Sequence, residues 1–190
     1  YAVKNAWRIF NELRLSKSPM ELRLLQHAID ISTEAHERSW LAAASAKWEY
    51  EIDAEVAYTF KLRNADNWGY PDIVGCGPNA TTLHYEESQG PVKSGELLLM
   101  DVGAEYGHYS ADVTRTFPVN GKFSARQAEL YDAVLESQAA GIAAVKPGAT
   151  IDEISRACAK VFEQKGLEKL VRHGPCHYIG LAGHDGADYG

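Results

Sequence analysis

The segment running from Leu97 to Pro118, LLLMDVGAEYGHYSADVTRTFP, constrains this chain more than any other. Leu97 to Met100 is a short apolar run ending on Asp101, and Tyr109 to Phe117 is rich in β-branched and aromatic residues, so the two arms read as strands. Gly107 is the natural turn residue between them because it tolerates positive φ. A turn centred on Tyr106 and Gly107 sets Glu105 opposite His108, Gly103 opposite Ser110 and Asp101 opposite Asp112. Direct partners in an antiparallel ladder share a face, with Cβ atoms about 4.5–5.5 Å apart. Two carboxylates at that distance destabilise a sheet unless one is protonated or a cation lies between them. The cation is the preferred reading. The plainer alternative is that one Asp ends a strand and the other caps a turn, and a slip of one residue would put them on opposite faces.

The remainder of the chain bears on that choice. At 190 residues it can bury a core as one domain or two small ones. A net charge of −7 and a pI near 5.5 argue against a nucleic-acid surface. No apolar run approaches the length of a membrane span. Cys76, Cys158 and Cys176 are few, odd in number and without a C-x-x-C pair, which fits a reducing, cytoplasmic setting. The first residue is Tyr1 rather than Met, so the start is read as a cut.

Helix signals are clear. Residues 1–17 hold a short amphipathic piece with no assigned role. Ser18-Pro19-Met20-Glu21 is a capping box with proline at the first helical position, and its helix runs to about Ala46 with Leu22, Leu25, Ile29 and Ser32 on one face. A second helix is expected from about Glu51 to Arg63 on Ile52, Val56 and Phe60. Asn64 to Pro71 breaks the pattern; DIVGCG and TTLHY then read as strand-like pieces on either side of a Gly-Pro-Asn turn. After the hairpin, Ser124 to Gln127 and Thr150 to Glu153 are two more capping boxes. The first opens a helix on Leu130, Val134, Leu135, Gln138, Ile142 and Val145; the second opens one on Ile151, Ile154, Cys158, Val161 and Phe162, closed by Gly166. The residues beyond look extended and loop-rich. The order helix, helix, strands thus occurs twice, the second time unfinished. It predicts an α+β fold built by duplication, with two sheets side by side, four helices over one face, and a chain cut short at Gly190.

His173, His177 and His184 fall within twelve residues. Gly174-Pro175 rules out a helical pair, so this is not an H-E-x-x-H site, and His177-Ile179-Leu181 reads as one face of a strand. A lone histidine there would be structural; three in one Gly-rich segment beside a paired-Asp hairpin point to a site. His84 is a fourth candidate. Facing carboxylates with an imidazole suit Mn, Co, Zn or Fe(II) and can bridge two ions. Cys176 points away from its neighbour His177 and reads as a packing residue, while His27, His36 and His108 read as surface or helix residues.

DVGAEYGHYSADVTRTFPVNGKF followed by HGPCHYIGLAGHD resembles the pita-bread metallopeptidases (methionine aminopeptidase, prolidase, aminopeptidase P), most closely the bacterial aminopeptidase P branch. ATTLHYEE and KSPMELRLLQHAIDIS add to the likeness, which extends from Ser16 to Gly190. The resemblance implies a pita-bread catalytic domain over residues 16–190, incomplete at its C-terminal end, with residues 1–15 a remnant of an N-terminal domain or a linker. It implies Asp101, Asp112 and His177 as ligands of two divalent ions, most readily Mn, and His84, His173 and His184 as residues that contact substrate or stabilise the tetrahedral intermediate.

The activity it implies is release of the N-terminal residue from peptides with proline second, by attack of a metal-bridging hydroxide, the partner being an Xaa-Pro peptide. Neither nucleic acid nor membrane is expected, and a homo-oligomer is compatible. The family's two glutamate ligands, in E-P-G and R-x-E-D segments, have no counterpart in this sequence, so the 190 residues alone are expected to be inactive. Alternatives are a prolidase acting on Xaa-Pro dipeptides, and a catalytically inactive pita-bread module that binds peptides. Retention of Asp101, Asp112 and His177 disfavours the second.

Overall fold

A computed structural model describes residues 4–186. Two compact units divide the chain: the first runs to Lys122 and takes the chain up again at Tyr178, and the second is Phe123–His177. Among the described residues no helix is long and apolar enough to cross a membrane.

The first unit opens with α1 (Trp7–Leu15), the amphipathic piece, now a helix of its own. Its successor α2 (Pro19–Ala43) begins at the expected box: Glu21 N donates to Ser18 Oγ at 3.4 Å, and Ser18 N donates to Glu21 Oε2 at 2.6 Å. Hydrogen bonding from the Ser18 amide, and then from its hydroxyl, holds the Glu21 carboxyl down at about 2. Of the expected inward face of α2, Leu25 and Ser32 are buried and Ile29 is half-buried. Leu22 is 55% exposed, and the inward stripe is Leu25, Ala28, Ile31, Ser32, Ala35, His36, Ser39 and Ala43. Small residues there let the helix lie close to the strands beneath it, and Ser32 Oγ accepts the Ala104 amide at 2.9 Å.

In α3 (Glu49–Leu62) the inward positions are those expected, Ile52, Val56 and Phe60. Then come β1 (Asn67–Trp68) and β2 (Ile73–Cys76), followed by a short 3-10 helix over Gly77–Thr81 in place of the expected turn and second strand. TTLHY is therefore not a strand. Pro78 starts the tight helix, Thr81 Oγ1 closes it on the Pro78 carbonyl at 2.7 Å, and His84 takes a positive φ of 53° just beyond.

The hairpin exists, but broken into four strands and shifted in register. β3 (Leu97–Val102) pairs with β6 (Val113–Pro118), and β4 (Ala104–Tyr106) pairs with β5 (Tyr109–Ser110). They contribute to separate three-stranded sheets, ordered β2-β3-β6 and β1-β4-β5. The break falls at Gly103, where a Cβ would collide with the Ala111 carbonyl oxygen. The turn is Gly107-His108, both at positive φ (58° and 68°), as a two-residue type I′ turn demands. Moving the turn by one residue moves every partner by two, so Asp101 sits opposite Thr114 rather than Asp112. A shift of two conserves the face, and the two aspartates stay on the same side of the ladder.

Along β3, Leu98, Met100 and Val102 are fully buried against Ile31 and Ala35 of α2 and Ile52, Val56 and Phe60 of α3. Each such side chain contributes about 1.5–3 kcal/mol on burial. This alternation turns Leu97, Leu99 and Asp101 to the opposite, half-buried face.

In the second unit α4 (Ala125–Ala144) and α5 (Ile151–Gln164) both begin at their predicted capping boxes, and Gly166 ends α5 with φ 65°. The buried face of α4 is not the apolar one expected. Ala133, Ser137 and Gly141 are buried, while Val134, Leu135 and Ile142 are exposed. Gly141 lies so near Cys158 of α5 that a Cβ would come within 2.6 Å of its sulfur, and Ser137 Oγ donates to the Cys158 carbonyl at 3.2 Å. No strand follows α5 among the described residues, so the second sheet expected from the duplication, including the His177 strand, has no counterpart there.

Candidate metal centre

Two carboxylates meet at one phenol. Tyr70, just before β2, donates its hydroxyl to Asp101 Oδ1 at 2.6 Å, and Asp112 Oδ1 lies 3.3 Å from the same oxygen. Asp101 arrives from β3 and Asp112 from the link between β5 and β6. A phenol has one proton, so it satisfies one carboxylate at a time, the shorter contact first. Burial, and then the charge of Asp101, push the Tyr70 hydroxyl far above its ordinary range, which keeps it a donor. A ring nitrogen of His184 and a carboxylate oxygen of Asp112 lie within 4.8 Å of each other. Behind Asp112, the buried His36 donates Nε2–H to the Val113 carbonyl at 2.9 Å, and burial lowers its pKa.

His84 is exposed on the segment after the 3-10 helix. That segment is tied down by Glu49, the first residue of α3. The fully buried Glu49 carboxylate accepts Cys76 N at 2.7 Å and Asn79 Nδ2 at 3.0 Å on one oxygen, and Gly90 N at 2.6 Å and the Tyr85 hydroxyl at 2.8 Å on the other. His173 is exposed in the second unit, its Nδ1 donating to the Gly174 carbonyl at 2.8 Å. His177 is the last residue of that unit, one peptide bond before Tyr178. Cys176 is exposed rather than packed, although partial burial still raises its thiol pKa.

Tyr70, Glu49 and His36 escaped the sequence reading. Tyr70 stands in a stretch read only as a break, Glu49 among ordinary helix-start acids, and His36 on a helix where nothing marks it as buried. Only the inward spacing of His36 with Ser32 and Ala35 could have singled it out.

The model of metallopeptidase family M24 matches residues 23–190. The chain belongs to that family. The Xaa-Pro aminopeptidase of Haemophilus influenzae is 37% identical over 203 residues, covering 97% of this chain and 47% of the relative. That of Escherichia coli K12 is 36% identical over 204 residues, covering 97% and 46%. A solved structure of E. coli aminopeptidase P in its low-pH form superposes with a TM-score of 0.90 at 35% identity, covering 98% of this chain and 46% of that one. The α+β architecture is that of the pita-bread peptidases. The chain spans about half the length of the relatives it matches.

Membership in an M24 metallopeptidase family implies divalent ions, and the donors here fit them. Two carboxylates aimed at one point, with an imidazole beside one of them, form a hard-to-borderline oxygen and nitrogen set.

Proposed function

We propose that this chain belongs to the catalytic domain of an Xaa-Pro aminopeptidase, a hydrolase that releases the N-terminal residue of peptides whose second residue is proline. The observation that carries the reading is the meeting of Asp101 and Asp112 at the Tyr70 hydroxyl, with His184 next to Asp112. The M24 match and relatives named Xaa-Pro aminopeptidase support it.

Asp101, Asp112 and His177 would hold two divalent ions, Mn the first choice by donor chemistry. Such ions, when bound, supply an activated water nucleophile and polarise the scissile carbonyl. Tyr70 keeps the two carboxylates aimed at one point and holds its own proton throughout. His184 and His173, as hydrogen-bond donors, would orient the substrate and stabilise the oxyanion, and His84 would contact the substrate from the segment that Glu49 anchors. The reducing, cytoplasmic setting read from the cysteines is part of this proposal.

The test is hydrolysis by the full-length protein with Mn²⁺, comparing Xaa-Pro-Yaa tripeptides with Xaa-Pro dipeptides. Cleavage of tripeptides is expected. Turnover of dipeptides alone would replace the reading by a prolidase, and metal-independent peptide binding without turnover would replace it by a binding module.

A further inference from the structure

We propose that Arg14 is a positioning residue for the candidate centre, clamping Asp185 and through it holding His184 beside Asp112; this rests on the peptidase reading above. Arg14 lies in the last turn of α1, before the residues 23–190 that the family model matches. Its Nη2 is 2.5 Å from Asp185 Oδ1, and the side chains of Arg14 and Asp185 are 23% and 2% exposed. Asp185 is the residue after His184. Its other oxygen accepts the Leu181 amide at 3.0 Å, and its own amide donates to the Tyr178 carbonyl at 2.9 Å.

Residues 178–185 therefore close into a ring around one buried carboxylate. Gly180 is required there, since a Cβ would strike Asp185 Oδ2. The Ser110 amide donates to the Gly180 carbonyl at 2.9 Å and fixes the ring to β5, two residues before Asp112. Leu15 packs where a side chain on Gly186 would begin, so the end of α1 bears on the far side of the ring as well.

A buried carboxylate without its cation is strongly disfavoured, so removing the guanidinium forces this ring to open or to take up a proton. Either change moves the backbone of His184. A displacement of about 1 Å at a catalytic group lowers turnover about 100-fold. The clamp thus makes a helix that precedes the residues matched by the family model a determinant of the site.

The experiment uses the full-length protein carrying Arg14→Gln, Arg14→Lys, His184→Ala and the Arg14→Gln/His184→Ala pair. It measures kcat/KM on an Xaa-Pro tripeptide and amide exchange at Leu181 and Asp185. Arg14→Gln should lower kcat/KM by about 10- to 100-fold. It should speed exchange at those two amides about tenfold, leaving α2 and α3 unchanged. Arg14→Lys should recover part of the loss, and in the His184→Ala background Arg14→Gln should cost less than about twofold, because both changes act through one residue.

An equal loss in both backgrounds, or unchanged exchange with kcat/KM within about twofold of wild type, overturns the proposal. If Arg14→Gln does not fold, Arg14→Gln/Asp185→Asn, which buries no unpaired charge, takes its place under the same criteria. If the wild type cleaves no Xaa-Pro peptide the peptidase reading fails by itself, and the exchange rates alone decide the clamp.

Discussion

Replacing Glu49 by glutamine changes one oxygen into an NH₂ group at a fully buried carboxylate that gathers two backbone amides and two side-chain donors. Each Glu49 oxygen accepts two donors, a backbone amide and a side chain: Cys76 N with Asn79, and Gly90 N with Tyr85. Asn79 and the Tyr85 hydroxyl can turn to other partners, but the two amides cannot. A glutamine amide satisfies one of them and faces the other with a second donor. A buried amide left without an acceptor costs about 1–3 kcal/mol. The surviving bonds fall from charge-assisted to neutral strength, a further loss of about 1 kcal/mol each. With two such bonds the variant should lose about 3–5 kcal/mol. Urea unfolding followed by tryptophan fluorescence would show it, with Trp48 next to the change as reporter. Exchange of the Gly90 amide should rise most. A loss below about 1 kcal/mol would mean that the carboxylate is dispensable and that the segment carrying His84 is held by something else.

Tyr70→Phe removes the donor shared by Asp101 and Asp112. The metal-free protein should lose about 1.5–3 kcal/mol, and Mn²⁺ should narrow that gap if a cation takes over the neutralising role; melting curves in chelator and in Mn²⁺ give both numbers. Burial lowers the pKa of His36 in the fold, while in the unfolded chain it protonates near 6.5. Its contribution is complete above pH 6.5 and is lost as pH falls through the lower folded value. The urea midpoint should therefore drop on acidification, by at most about 1.4 kcal/mol per pH unit from this group, and His36→Gln should flatten that part of the profile. Gly103→Ala drives a methyl group into the Ala111 carbonyl and should cost about 3 kcal/mol or more, seen as a loss of soluble folded protein or a lowered melting point.

The helix starts were legible because capping is local: Ser18, Ser124 and Thr150 each bond within three residues. The hairpin was legible from composition and the shared face of Asp101 and Asp112 from a period of two, and that face survives a turn misplaced by one residue. The turn itself was not, since a glycine marks positive φ but nothing local shows that His108 adopts it as well. The inward face of α2 was legible at Leu25 and Ser32 but not beyond them, and that of α4 was not legible. Apolar spacing points large side chains to the core, whereas close packing selects Ala28, Ala35, Ser137 and Gly141 and leaves Leu22, Val134 and Ile142 outside. Tyr70 and Glu49 depend on partners 31 to 42 and 27 to 41 residues away, a separation no window on the chain can see. The Asp pair and His184 stand among the candidates the sequence offers; the phenol at which the two carboxylates meet does not.

The glycine at position 141 has a kinetic consequence. It seals Cys158 between α4 and α5, Cys76 is equally enclosed in the first unit, and Cys176 stands open. A thiol reagent should mark Cys176 at once and reach the other two only when their surroundings part. Each unit thus carries a stopwatch of its own, and the lag before each sealed sulfur reacts times the breathing of that half of the chain without any label being introduced.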